Sequence, residues 1–148
     1  KNFKELYGKI TSNSSAKVIY MDTYNILNNS SRALVTSGTA TLETAFFNVP
    51  QIVCYKTSWL SYIIAKSLVK IKYISLVNLI MDKEIVKELI QNNLSVFKLT
   101  KELNILNDDL ALNKMKESYQ LLIAKCQGEN VSKNIAKDMF KTIESFQK

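Results

Sequence analysis

Residues 33–43, ALVTSGTATLE, constrain the fold more than any other stretch. A short apolar run passes through Thr36-Ser37-Gly38-Thr39 straight into an apolar helical pattern with an acid one turn inside. A strand, a small polar turn with a glycine and a helix start together form the arrangement by which backbone N–H groups and the helix dipole hold phosphate. Other β-branched runs lie at residues 17–21 and 51–55, with a weaker one at 73–76, and helical patterns fall between them. Strand and helix in alternation predict a parallel sheet covered on both faces, an α/β fold of Rossmann-like type.

Between these strands the apolar spacing predicts helices over residues 2–9, 23–29, 39–47 and 59–70. After Asp82 the spacing is helical throughout and no further strand is expected. Helices are placed there at 83–91, 96–104, 108–126 and 131–146, with Asp108 as an N-cap and Gly128 with Asn130 separating the last two. A chain of 148 residues with 47% hydrophobic composition suits one folded domain, here a sheet portion over residues 1–91 and a helical tail over 92–148.

Composition removes several chemistries. Histidine is absent, which excludes histidine-ligated zinc, serine-histidine and cysteine-histidine nucleophile pairs and histidine general bases. Cys54 and Cys126 have no CxxC spacing and read as buried reduced thiols, so no metal site is expected. The chain starts on lysine without a charged-then-apolar leader, and its apolar runs are too interrupted to span a bilayer. A cytosolic protein, or a fragment of one, is expected. The net charge of +7 is spread as single lysines, which suits solvated helix faces, an anionic ligand or an acidic membrane surface. Nucleic acid is not an expected partner, since no aromatic RNA-binding motif, zinc-finger spacing or helix-turn-helix is present.

In an open parallel sheet, ligands bind beyond the carboxyl ends of the strands. Ser37, Gly38 and Thr39 follow one strand, and Lys56, Thr57 and Ser58 follow the next. Their hydroxyls, backbone N–H groups and one cation suit an anion. Glu43 lies four positions after Thr39 and six after Ser37, whereas a capping-box acid sits three after the cap. A phosphate at the helix start with a ribose beyond it suits that carboxylate, and so does a plain turn followed by an exposed glutamate. Asn78, at the end of the run 74–77, either reads a base or sugar or caps a turn. Glu88 and Gln91, three apart on the expected helix, read as solvated surface. On the 59–70 helix, Lys66 and Lys70 share a side with Trp59 and Ile63, as on a membrane-surface face or on a half-buried helix with snorkelling lysines.

The continuous stretch VTSGTATLETAFFNVPQIVCYKTSWLSYIIAK, followed by KYISLVNLIMDKEIVKELIQ, resembles the C-terminal half of the lipid-A-disaccharide synthase family. The likeness is specific in wording over residues 33–91 and rests on pattern elsewhere. It implies one half of a two-Rossmann-domain (GT-B) glycosyltransferase that joins UDP-2,3-diacylglucosamine to 2,3-diacylglucosamine 1-phosphate and releases UDP, without metal or other cofactor. Carried over by position, Ser37, Gly38 and Thr39 face the diphosphate, Glu43 the ribose, Asn78 the donor nucleotide or sugar, and Lys56 the phosphates. The acylated substrates imply a bacterial cytoplasmic enzyme working peripherally at the inner membrane.

Family members are more than twice this length. The N-terminal acceptor domain with the candidate base, together with the arginine-containing PGSR-type segment that normally opens the nucleotide domain, is therefore expected to be absent here, and the chain alone to be inactive. The resemblance also implies that the last helices pack on that domain, so that exposing their apolar faces favours an N-terminal-half partner or a homodimer. A non-catalytic UDP-binding or interaction module, as a split subunit or a decayed remnant, and another UDP-sugar glycosyltransferase remain alternative readings.

Overall fold

The computed structural model describes residues 3–59, 62–63, 72–127 and 131–146. Its sheet has three strands in the order β1-β2-β3, where β1 is Ala33–Thr36, β2 is Gln51–Tyr55 and β3 is Lys87–Ile90. All pairing is parallel: Ala33 lies opposite Gln51 and Thr36 opposite Cys54, while Ile52 lies opposite Lys87 and Tyr55 opposite Ile90. β2 is therefore the central strand, and its Gln51, Ile52 and Val53 are all buried. An unbroken apolar run in a central parallel strand requires cover on both faces.

The described helices are α1 (Lys4–Thr11), α2 (Thr23–Asn28), α3 (Ala40–Phe46), α4 (Leu76–Met81), α5 (Val96–Ile105), α6 (Asp109–Cys126) and α7 (Val131–Phe146), of which α3, α4, α5 and α6 supply that cover. Successive strand residues point to opposite faces, and β2 divides accordingly. Val53 joins Ala45 of α3, Val77 of α4, Val86, and Tyr119 and Leu122 of α6 in one cluster. Ile52 joins Leu89 and Leu106 in a second, with Leu99 and Leu103 of α5 packed against it. Met115 of α6 touches both clusters and links the two layers. The expected α/β architecture, a parallel sheet with flanking helices and a C-terminal helical tail, is what forms.

Four local expectations are corrected. Residues 83–91 are not a helix but lead into β3. Lysine and glutamate are good helix formers, but intrinsic propensity is a weak preference and pairing along the edge of β2 overrides it. Residues 17–21 form no strand; all five are exposed, so their β-branched side chains find no surface to pack on. Residues 73–76 are not a strand either, because Ser75 adopts extended backbone only as the N-cap of α4. Cys126, expected to be buried, ends α6 in solvent, whereas Cys54 is half-buried, and that burial raises its thiol pKa. The 59–70 helix and its lysines fall mostly outside the described residues, although Trp59 is described and exposed.

Asp108 caps α6 as expected, its Oδ1 accepting from the Ala111 N–H at 2.9 Å. Replacing it with alanine leaves a first-turn N–H without that acceptor, and Asp108→Ala is expected to cost about 1 kcal/mol. Urea unfolding checks this: the midpoint should fall with an unchanged slope.

Candidate functional site

β1 ends at Thr36, and the chain turns through Ser37 and Gly38 into α3. Gly38 has φ of +143°, which L side chains rarely adopt. Nothing lies within 4 Å of a Cβ built there, so backbone conformation rather than space reserves the position for glycine. Its carbonyl accepts from the Thr41 N–H at 3.1 Å and from the Thr41 hydroxyl at 2.7 Å. Thr39 is the N-cap of α3 and makes no side-chain cap bond. Gly38 and Thr39 are both exposed, so the turn presents its backbone and the Thr39 hydroxyl outward. Ser37 is different: its hydroxyl donates to the Ile74 carbonyl at 2.8 Å, tying the turn to the segment that precedes α4.

Glu43 lies one turn into α3, its N–H donating to the Thr39 carbonyl at 3.1 Å. The residue is half-buried, and its carboxylate makes no hydrogen bond or ion pair with another described residue. It lines a cavity of about 360 Å³ together with Met21, Asp22, Thr23 and Tyr24. The Tyr24 ring stacks on Phe47 with centroids 5.3 Å apart, which fixes one wall. Structure thus adds the start of α2 to the site, a region that sequence reading left unused.

Lys56 follows β2 directly and is exposed. The next residue is held from just past β3: the Gln91 side chain accepts from the Thr57 N–H at 3.0 Å and donates to the Thr57 carbonyl at 3.1 Å.

Asn78 is not at the end of a strand. It lies inside α4 and is fully buried. Its Oδ1 accepts from Ile85 N–H at 2.8 Å and Val86 N–H at 3.0 Å, while its Nδ2 donates to the Val86 carbonyl at 2.8 Å and to Glu88 Oε1 at 2.9 Å. An amide with every polar atom engaged inside the protein is a structural group; its effect on a ligand is indirect.

Glu88 and Gln91, expected at the surface, are what the sequence reading missed. The Glu88 carboxylate on β3 accepts from Ile74 N–H at 3.0 Å, from Ser75 N–H at 2.9 Å, from the Ser75 hydroxyl at 2.7 Å and from Asn78. A signal for it existed in LVNLIM, where one asparagine among apolar residues calls for buried polar partners. A second cavity, of about 270 Å³, includes Gln51 and Lys87 in its lining. Each is the first residue of its strand, which places that cavity at the amino end of the sheet, away from the Ser37–Thr39 turn.

A doubly covered parallel sheet with a glycine turn leading from strand to helix defines a Rossmann-like α/β protein. More particularly, the family model described as lipid-A-disaccharide synthetase matches residues 1–142, and the chain belongs to that family. A lipid-A-disaccharide synthase from a Sulfurihydrogenibium species is 34% identical over 146 residues, covering 96% of this chain and 37% of the relative. Another, from Psychromonas ingrahamii, is 55% identical over 71 residues, 48% of this chain and 19% of its own length. A third, from Rickettsia conorii, is 41% identical over 92 residues, 61% and 21% respectively. The chain therefore spans well under half the length of these relatives.

Proposed function

We propose that this chain is the donor-binding part of a lipid A glycosyltransferase and that it holds UDP-2,3-diacylglucosamine at the carboxyl end of the sheet. The observation that carries this reading is Glu43, a half-buried residue whose carboxylate has no protein partner among the described residues, one turn from an exposed glycine turn and beside an open cavity. A carboxylate accepts from two neighbouring hydroxyls, as a ribose presents them. The diphosphate lies on the backbone N–H groups of Gly38 and Thr39 and the Thr39 hydroxyl, with Lys56 as the nearby cation in sequence. Ser37 contributes through its backbone, because its hydroxyl proton is directed to Ile74. The base extends toward Met21 and Tyr24 in the cavity that Glu43 lines.

Family membership supports the reaction: transfer of 2,3-diacylglucosamine to 2,3-diacylglucosamine 1-phosphate with release of UDP. Charge develops on the departing diphosphate, and fixed N–H dipoles at the turn stabilise it most when they need not reorganise. Acceptor and base come from sequence outside these 148 residues, and transfer requires both parts held in near-attack geometry. The site works at the cytoplasmic face of the inner membrane, where acylated substrates are met. Calorimetric titration of the folded chain with UDP tests the binding half of the proposal. Saturable binding at one site is expected; absence of binding overturns it.

A further inference from the structure

We propose that Glu88 of β3 and Gln91, the first residue after it, are positioning residues for the nucleotide site, each fixing one of the backbone segments that border it. This inference rests on the donor-binding reading. The two side chains lie three residues apart, Glu88 inside edge strand β3 and Gln91 in the 3-10 turn directly after it, and each captures a different loop. Glu88 receives Ile74 N–H on one oxygen and Ser75 N–H, the Ser75 hydroxyl and Asn78 Nδ2 on the other. The Ile74 carbonyl in turn receives the Ser37 hydroxyl. A continuous chain of hydrogen bonds therefore runs from β3 through residues 74–75 to the first residue of the glycine turn. Gln91 makes a two-point backbone pair with Thr57, immediately after Lys56.

Neither side chain is needed to hold β3 in the sheet, since the backbone ladder with β2 does that. Their hydrogen bonds instead go to loops that have no strand partner of their own. A loop carrying ligand groups must be held to within a fraction of an ångström for its N–H dipoles to act without reorganisation. The two-point capture by Gln91, just past β3, performs that task at residue 57, and the Glu88 carboxylate performs it at residues 74–75 and, through Ile74, at Ser37.

Two variants separate positioning from general stability. In Glu88→Gln the amide oxygen can keep the Ser75 side while its NH2 group opposes Ile74 N–H, so Ile74 and Ser37 are released selectively. Gln91→Ala releases Thr57 and leaves the Glu88 network intact. Each is expected to weaken UDP binding about three- to tenfold in titration of the full chain, in line with loss of one or two hydrogen bonds. Amide exchange should accelerate at Ile74 in the first variant and at Thr57 in the second. Asp108→Ala, which removes the α6 cap and none of the hydrogen bonds to these loops, should leave UDP affinity unchanged.

Should Glu88→Gln fail to fold, Gln91→Ala carries the test alone. Folded variants that bind UDP with wild-type affinity overturn the proposal, as does an equal loss in Asp108→Ala. If the wild-type chain binds no UDP, the donor-binding reading falls. The clamp is then judged on the backbone resonances of Ser37 to Thr39 in Glu88→Gln: displacement sustains it, and unchanged positions overturn it.

Discussion

Asn78→Ala is expected to lower the unfolding free energy by about 3–5 kcal/mol, near the upper end for a single substitution. The side chain is fully buried and serves four hydrogen bonds at once. Two backbone N–H groups and one carbonyl at Ile85 and Val86 depend on it, and Val86 is itself fully buried. Removing the amide takes the partner from the buried Val86 groups and from the part-buried Ile85 N–H, which costs more than the bonds were worth. Since Ile85 and Val86 lead into β3, the sheet edge should loosen with them. Urea unfolding measures the loss; a change below about 1 kcal/mol would mean that the amide does not pin the strand.

Glu43→Ala should do the reverse, with little effect on folding and a large one on ligand. The carboxylate of a half-buried residue with no hydrogen bond to other described residues contributes little to the folded state, so stability should move by about 0.5 kcal/mol or less. UDP affinity should fall by about ten- to a hundredfold, the loss expected when hydroxyls enclosed against a carboxylate lose their acceptor. Glu43→Gln, which keeps one acceptor oxygen, should lie between. A Glu43→Ala variant that is markedly destabilised yet, while folded, binds UDP with wild-type affinity would return Glu43 to a purely structural role.

Much of this fold was legible because its strongest signals are local. The run ALVTSGTATLE contains its own strand, turn and helix start, and Gly38 marks the one conformation that turn requires. QIVCY is apolar enough to be central in a parallel sheet whatever surrounds it. β3 was not legible, because KELI carries two charged residues of helical preference and becomes a strand only through pairing with β2 and through the Asn78 side chain. The site divides in the same way. Glu43 stood out because its spacing did not fit capping. Glu88, Gln91 and the fate of Asn78 depend on contacts between segments distant in sequence, which no single periodicity encodes. Tyr24 and Met21 joined the cavity for that reason too.

The central claim is that a nucleoside diphosphate lies on the turn at residues 37–39 and against Glu43. Amide chemical-shift mapping of the folded chain during UDP addition tests it residue by residue. The account predicts saturable displacement of Gly38, Thr39, Ala40 and Glu43, with smaller changes at Met21 to Tyr24. Displacement confined to the amino end of the sheet, around Gln51, Lys87 and Lys114, would contradict it.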